Sequence, residues 1–291
     1  MIPVANERGA MQPQIIFEDN HLLVVNKPAG IPTMGAEQAE TVHRLAVEYL
    51  RHKYGKPGRV FLGIVSRLDR VTSGVLVLAR TSKAASRLAP QFAPADASGR
   101  GATAWPGARK IYLAVVEGHP AVAAAESRGW IWKDEARHRM EVTLGSAGTG
   151  NASGTAPSGD DRLPKDARRC HLRYWTVGSW PRGTALGVEL FTGRKHQIRA
   201  QLSRQGMPVW GDRKYGGRQP FPDGVALHCW GLQIEHPTRR DRLDFVAEPP
   251  DSWDIFPGGR ATVRRWCQQL GGPSDTVNGS SQSSTARPPD R

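Results

Sequence analysis

Asp69 is an aspartate in a position where its carboxylate needs compensation. It lies between Arg67 and Arg70, and it precedes an aliphatic run, residues 75–79, that predicts a short strand covered on both faces. A carboxylate at the mouth of a buried strand is unfavourable unless neighbouring cations or a ligand neutralise it. Taken alone, an aspartate beside an arginine is more often a structural ion pair or a turn residue than a reactive group.

Two other stretches, distant in the chain, carry side chains of chemical interest. Residues 110–118 alternate as a strand does and include Tyr112, which by itself would be an ordinary half-buried strand tyrosine. Residues 193–199, Gly-Arg-Lys-His-Gln-Ile-Arg, follow a strand and open a helix with Ile198 and Leu202 on one face. An isolated His-Gln pair in a helix would usually be exposed on the surface without a functional role. Only the complete seven-residue stretch therefore indicates a functional site.

The elements that must position these stretches are short and of both types. Turn and cap residues at Asp19-Asn20, Thr41, Thr72-Ser73-Gly74 and Thr81 mark their boundaries. Strands are predicted over residues 14–18, 22–26, 60–65, 75–79, 110–118, 168–177 and 184–190. Helices are predicted over residues 42–50, 82–88 and 261–270. Hairpins mixed with a few helices indicate an α+β fold.

The composition indicates a polyanionic partner. The 291 residues include 40 Lys and Arg against 27 Asp and Glu, a formal net charge of +13 and a pI near 10.2. Nucleic acid is the first candidate for such a surplus, and a merely basic, well-solvated surface is the alternative. An anionic membrane is disfavoured, because no basic amphipathic helix lies beside an apolar anchor.

Cysteine usage and the absence of targeting patterns predict a cytoplasmic protein. Cys170, Cys229 and Cys267 are too few for a disulfide framework and fit a reducing compartment. The pairs Cys170-His171 and His228-Cys229 lack zinc-site spacing, so no metal is predicted, and each pair is expected on a strand with one member in the core. No signal core and no run long enough to span a bilayer is present in the sequence.

Taken together, these stretches resemble the motifs of the RluA family of RNA pseudouridine synthases. Residues 67–80 are similar to the family's active-site motif, His-Arg-Leu-Asp followed by Arg, a Thr-Ser-Gly turn and an aliphatic strand, except that Ser66 replaces the histidine. Residues 26–30, 110–118 and 193–199 resemble three further family motifs. Two more resemblances, Gly-x-Pro-(Ile/Val)-x-Gly-Asp-x-x-Tyr-Gly and a Leu-His strand ending at His-Pro, are interpreted as mainly architectural, with His228 a minor candidate for the cleft.

The resemblance implies a fold and a reaction. The fold is a long, mixed and mostly antiparallel sheet with flanking helices and a central cleft. The reaction is the isomerisation of uridine in RNA to pseudouridine, with no metal or other cofactor. The resemblance covers about residues 14–250, so residues 14–270 are predicted as one catalytic domain. Residues 1–13 are predicted as a flexible leader, 271–291 as a disordered tail, and about 94–107 and 145–166 as mobile insertions.

The resemblance also implies roles for particular residues. Asp69 is the catalytic carboxylate, Tyr112 lies against the uracil, and Arg199 ion-pairs with Asp69. Arginine suits that pairing because it stays charged and binds a carboxylate with two donors. The side chains predicted to contact RNA share a basic character or a place in the motifs, and they are Lys27, Arg67, Arg70, Arg194, Lys195, His196 and Lys214.

Three hypotheses for the function remain at this point. The leading one is a stand-alone, monomeric pseudouridine synthase acting on ribosomal or transfer RNA. The second is a non-catalytic protein that binds RNA or assists its folding through the same cleft, which the basic charge and Ser66 motivate. The third, a nucleoside hydrolase, is the weakest, because a glycosidase site would need a second carboxylate and the motifs offer none.

Overall fold

The computed structural model describes residues 13–36, 39–55, 57–93, 107–145 and 163–271. The predicted leader, tail and two insertions lie almost entirely outside these residues. The described residues form one sheet of eleven strands: β1 Gln14–Glu18, β2 Leu22–Lys27, β3 Gly63–Ile64, β4 Ser73–Ala79, β5 Arg109–Glu117, β6 Ala124–Asp134, β7 Arg139–Leu144, β8 Arg168–Trp180, β9 Gly183–Leu190, β10 Leu227–Glu235 and β11 Arg242–Val246. They also form four α-helices: α1 Val42–Lys53, α2 Ser82–Phe92, α3 Gln197–Arg204 and α4 Gly259–Gln268. Short 3-10 turns occupy Arg213–Tyr215 and Asp251–Ile255.

The sheet is mixed and mostly antiparallel, which confirms the predicted α+β class. Its strand order is β1-β2-β4-β10-β5-β9-β8-β6-β7, with β3 paired to β4 and β11 to β10. Among the described strands, β4 and β10 form the parallel pair, with Ser73 opposite His228 and Gly74 opposite Cys229. Strand β10 therefore joins β4, which follows the Asp69 loop, to β5, which carries Tyr112.

Gly74 corrects one prediction made from turn chemistry. Ser73 and Gly74 do not form a turn but begin β4, where Gly74 adopts φ +118°. A Cβ atom built on Gly74 would lie 2.2 Å from the carbonyl oxygen of Cys229. The glycine is therefore required for the close approach of β4 to β10, and a Thr-Ser-Gly sequence conceals that role because it also suits a turn.

The predicted hairpin and helix starts agree with the structure. The carboxylate of Asp19 accepts the backbone N–H groups of His21 and Leu22 at 2.7 Å each and turns the β1–β2 hairpin. Thr41 and Thr81 cap α1 and α2, each accepting a backbone N–H at 3.1 Å. The predicted strand over residues 60–65 shortens to β3, and the β6–β7 hairpin was not predicted.

Both cysteine–histidine pairs lie on strands, but only one divides between core and surface. Cys170 is buried in β8 while His171 is part-exposed, as predicted. His228 and Cys229 are both buried, so the prediction of one core member is wrong for that pair. Strand β10 lies inside the sheet with both faces covered, and the His228 imidazole contacts Ser73 Oγ at 2.8 Å and the Ala247 carbonyl at 2.9 Å. His228 is therefore architectural. No helix within the described ranges has the length and apolarity to cross a membrane.

Candidate active site

The three motif stretches meet at an open cleft of about 920 Å³ in the middle of the sheet. One wall is the loop that leads from β3 into β4 and carries Asp69. The floor comes from β5 with Tyr112 and from β10 with Cys229, and the other wall is the segment around the start of α3 with Arg199. The structure therefore brings together Asp69, Tyr112 and Arg199, although they are scattered through the chain.

Asp69 is held by one of its two carboxylate oxygens. Arg199 Nη1 donates to Asp69 Oδ2 at 3.3 Å, and His196 Nε2 lies 3.8 Å from the same oxygen. The Asp69 side chain keeps 26% of its surface exposed, whereas that of Arg199 keeps 5%. The carboxylate can therefore be reached from the cleft, while its counter-ion is enclosed in the wall.

Arg199 has a second and closer partner that the sequence analysis missed. Its Nε and Nη2 atoms donate to Asp212 Oδ2 and Oδ1 at 2.6 and 2.8 Å, a two-pronged ion pair buried behind the cleft. Burial opposes the charge of Arg199, but the hydrogen bonds and charge of Asp212, together with the charge of Asp69, raise its pKa. Asp212 stands in the Gly-Asp-x-x-Tyr-Gly stretch, which had been interpreted as architectural.

Tyr112 offers a neutral phenol to the cleft. It is 5% exposed and pairs with Val188 on β9 and Cys229 on β10. Burial raises its pKa well above the usual value, and the neighbouring Cys229 and the charge of Asp69 raise it further. Such a ring is suited to lie against a planar base, and its hydroxyl keeps its proton.

His196 lies beside the carboxylate and inside the wall, and not on an outer RNA-binding surface. It precedes α3 in the left-handed region, with φ 54°, and its Nδ1 is 3.0 Å from the hydroxyl of Tyr215. Burial lowers its pKa to about 4, the charge of Asp69 opposes this change, and the charges of Arg199, Lys195 and Lys214 add to it. The imidazole is therefore neutral near pH 7.

Lys27 departs from its predicted role. It is completely buried, and its ammonium donates to the carbonyl oxygens of Pro28 at 2.7 Å and Arg70 at 3.4 Å. Burial lowers its pKa to about 7, while the charge of Asp69 acts in the opposite direction. This position beneath the Asp69 loop does not fit a phosphate contact. Lys27 is the final residue of β2, and its side chain points into the protein. The motif at residues 26–30 did not indicate this orientation.

The other predicted RNA contacts form a basic rim. Arg67, Arg70 and Lys195 are exposed and line the cleft together with the part-buried Arg194. Lys214 is exposed on the 3-10 turn after α3 and is close enough to His196 to influence its pKa. Positive charge therefore surrounds the opening that leads to Asp69.

The cleft also contains residues that the sequence analysis did not assign to the site. Lys110 lines the floor with its ammonium 5.6 Å from the ring centre of Phe92, and burial lowers its pKa. Cys229 lies beside Tyr112, and burial raises the pKa of its thiol to about 12. Lys110 had been quoted within the Tyr112 motif, but that position alone did not indicate its orientation. Part-exposed Ser66, the departure from the family motif, lines the cleft as well.

Comparisons with solved structures and with protein families agree on the class of protein. The fold is shared with human RNA pseudouridylate synthase domain containing 4, with a TM-score of 0.62 over 89% of this chain and 93% of that one at 21% identity. It is also shared with human RNA pseudouridylate synthase domain containing 1, with a TM-score of 0.58 over 82% of this chain and 84% of that one at 21% identity. These two structures define a pseudouridylate synthase fold.

The sequence comparisons identify the family. The family described as RNA pseudouridylate synthase matches residues 21–204. Ribosomal large subunit pseudouridine synthase D of Zymomonas mobilis is 30% identical over 269 residues, covering 87% of this chain and 74% of the relative. The protein of the same name from Xylella fastidiosa is 32% identical over 259 residues, covering 81% and 66%. The chain belongs to the RNA pseudouridylate synthase family, as its resemblance to RluA enzymes predicted, and it is an isomerase that acts on RNA.

Proposed function

We propose that the protein converts specific uridines of structured ribosomal RNA to pseudouridine, with Asp69 as the catalytic carboxylate. One observation carries this proposal: Asp69 is part-exposed in a cleft and lies 3.3 Å from the enclosed guanidinium of Arg199, with Tyr112 in the floor. A carboxylate paired with a guanidinium beside an aromatic floor is what the reaction needs, because the base must leave its stack and meet a reactive carboxylate.

The reaction rearranges one nucleotide and releases no fragment. The N1–C1′ bond breaks, the uracil turns, C5 bonds to C1′, and the hydrogen of C5 is lost to water while N1 gains a proton. In this scheme Asp69 is either the nucleophile, attacking the base or the sugar, or the base that removes a ribose proton to give a glycal. Tyr112 lies against the uracil, and the guanidinium of Arg199 compensates the negative charge of Asp69 before it reacts.

The basic rim supplies the binding step. A target base in a stem or a stacked loop leaves its stack at a cost of about a few kcal/mol. In this proposal Arg67, exposed at the cleft, fills the vacated space or steers the nucleotide. Phosphates are bound by basic residues at or near the opening, Arg70, Arg194, Lys195 and Lys214. Similarity to relatives named for the ribosomal large subunit favours ribosomal RNA over transfer RNA. A cytoplasmic location is supported by three free, buried cysteines, and a monomeric state stays a prediction.

Tritium release tests the proposal directly. Large-subunit ribosomal RNA transcribed with uridine labelled at C5 is expected to release tritium to water when the protein is added. Asp69→Asn should stop the release while RNA binding persists. Undiminished release by Asp69→Asn would remove Asp69 from its role. Salt-sensitive binding without release from any RNA would favour the non-catalytic RNA-binding hypothesis, and free uracil would favour the hydrolase. Pseudouridine mapping of total RNA from cells with and without the gene identifies the target.

A further inference from the structure

Tyr215 and His196 lie between strand β7 and the carboxylate of Asp69: two hydrogen bonds join β7 to the His196 imidazole, whose other nitrogen lies 3.8 Å from that carboxylate. Tyr215 belongs to the 3-10 turn after α3, is 5% exposed, and lies behind His196 as seen from the cleft. Its hydroxyl meets two groups at 3.0 Å each, the backbone N–H of Met140 on β7 and Nδ1 of His196. Nε2 of the same imidazole faces Asp69.

The donors and acceptors around Tyr215 favour one position for the hydrogen of the His196 imidazole, because that position gives the Tyr215 hydrogen an acceptor. A backbone N–H can only donate, so the Tyr215 oxygen accepts from Met140 and its own hydrogen is available to His196 Nδ1. Nδ1 then acts as an acceptor, and a neutral imidazole with an accepting Nδ1 carries its hydrogen on Nε2. The burial that keeps His196 neutral near pH 7 supports this assignment.

The two donors that face Asp69 approach the same oxygen. His196 Nε2 is 3.8 Å and Arg199 Nη1 is 3.3 Å from Oδ2, which leaves Oδ1 for the substrate. The left-handed backbone of His196, φ 54°, is an uncommon conformation for a non-glycine residue and stores strain of about 1 kcal/mol or more. Strain of this kind persists where surrounding contacts enforce it, and the bond to Tyr215 is such a contact.

We infer that Tyr215 is a positioning residue: its hydroxyl holds His196 as the Nε2–H tautomer, and His196 and Arg199 together orient Asp69 so that Oδ1 meets the substrate. This inference rests on the proposed role of Asp69. Asp212 completes the arrangement, because its two-pronged bond holds Nε and Nη2 of Arg199, so that Nη1 is the donor that faces Oδ2 of Asp69. The sequence stretch around Asp212 and Tyr215 therefore serves the reaction from behind the wall.

Tyr215→Phe tests the inference because it removes the hydroxyl and keeps the ring, which packs 5.0 Å from the guanidinium carbon of Arg199. The kcat for pseudouridine formation is expected to fall about 10- to 100-fold, as is usual when a group that orients a reacting residue is removed. The KM for RNA should stay within about twofold, because Tyr215 is behind the wall. Tyr49→Phe is the matched control. Tyr49 lies on the remote helix α1 and loses a 2.8 Å hydrogen bond to Glu18 on β1, so this variant should keep the wild-type kcat.

Two further measurements separate a positioning role from a structural one. If Tyr215 acts through His196, the double variant His196→Gln/Tyr215→Phe should be no slower than His196→Gln, whereas independent effects would multiply. Nitrogen NMR of histidine-labelled wild-type protein, with the His196 signals assigned by their loss in His196→Gln, should show a protonated Nε2 and an unprotonated Nδ1. Tyr215→Phe should weaken that preference.

The outcomes distinguish this inference from the function on which it rests. Two results would overturn the positioning role of Tyr215 and leave the proposed function intact. One is an inactive Asp69→Asn with a fully active Tyr215→Phe, and the other is an inactive Asp69→Asn with losses that multiply in the double variant. A protonated Nδ1 in the wild-type protein overturns it as well, and this measurement needs no variant of Tyr215 to fold. A fully active Asp69→Asn overturns both the proposed function of Asp69 and the positioning role of Tyr215, because His196 would then orient a residue without a role.

Discussion

Two aspartates of this protein, Asp19 and Asp69, each face a histidine and an arginine, and the difference between them separates structure from chemistry. At the β1–β2 turn, Asp19 Oδ1 accepts the N–H groups of His21 and Leu22, and Oδ2 accepts from His236 Nε2 at 2.8 Å and Arg239 Nη1 at 3.3 Å. Burial would raise the pKa of Asp19, but the bonds from His21, Leu22 and His236, with the charge of His236, outweigh it and lower the pKa. Both oxygens are fully used.

Asp69 is organised in the opposite way. Among the described residues, Arg199 and His196 approach its side chain, and both face Oδ2, at 3.3 and 3.8 Å. The closest bonds of that cluster go to Asp212, which Arg199 contacts at 2.6 and 2.8 Å. Both oxygens of the structural carboxylates Asp19 and Asp212 are thus engaged, whereas the contacts of the carboxylate in the cleft converge on one oxygen. Bonds missing from Asp69 are bonds that a substrate can make.

Asp69→Asn is the substitution expected to have the largest effect on activity. It should reduce pseudouridine formation by at least about 1,000-fold, as removal of a directly reacting group does, while the free energy of unfolding changes by less than about 1 kcal/mol. Stability survives because Arg199 keeps Asp212 as its counter-ion. Tritium release and urea unfolding measure the two quantities. A loss of stability as large as that from a buried ion pair would place Asp69 with the structural carboxylates instead.

Asp212→Asn should affect both quantities. Removing one partner of a buried ion pair costs about 3 kcal/mol or more. The buried guanidinium of Arg199 would lose its closer acid partner and keep the more exposed Asp69 at 3.3 Å. We also expect a lower kcat, because the guanidinium is free to turn toward Asp69 and occupy both of its oxygens. Asp244→Asn is the control, since its ion pair with Arg242 is exposed and should contribute less than about 1 kcal/mol. Equal effects of the two substitutions would contradict the buried-pair argument.

The comparison also shows what the sequence could and could not predict. The meeting of Asp69 and Arg199 was predicted from family motifs, because the residue types and their order within each motif are preserved. The second partner of Arg199 was not, because Asp212 and Asp69 are both single aspartates in ordered loops, and only the three-dimensional arrangement shows which of them receives the two-pronged bond. Local patterns indicate which residues matter, but not how many bonds each one makes.

The errors in the fold prediction have a similar origin. The β6–β7 hairpin escaped notice because Trp130, Ile131 and Trp132 are consecutive apolar residues, which hide the alternation of a half-buried strand. Gly74 suggested a turn because glycine serves turns and close strand contacts alike. Helix caps were predicted correctly because a cap depends on neighbours within three residues, as Thr41 and Thr81 show.

Asp19→Asn is the reciprocal test of the comparison. The loss of charge-assisted bonds to His236 and Arg239 should reduce the free energy of unfolding by about 2 kcal/mol, with kcat and KM unchanged. Because the native state lowers the pKa of Asp19, its contribution is present above the unfolded value near 3.8 and is lost as the pH falls through the native value. The stability difference between wild type and variant should therefore shrink at acid pH. A variant with normal stability and lost turnover would reverse the assignment of the two aspartates.

The last expected effect concerns the buried amine of Lys27 beneath the Asp69 loop, and it appears as a slope of stability against pH. Folding lowers the pKa of Lys27 from 10.5 to about 7, so between these values the unfolded chain binds a proton that the native protein does not. The stability of the wild-type protein relative to Lys27→Met should therefore rise with pH across that window, by at most about 1.4 kcal/mol per pH unit, and stay level below it. Urea unfolding at pH 6, 7, 8 and 9, about one unit apart, measures the slope.

Lys53→Met is the control, because the pKa of Lys53 is raised by its hydrogen bonds to Glu18 and Tyr49, and Lys53 stays protonated in both the native and the unfolded state throughout. A flat difference for Lys27→Met would mean that the ammonium remains charged in the native protein, held by the carbonyl oxygens of Pro28 and Arg70 together with the charge of Asp69.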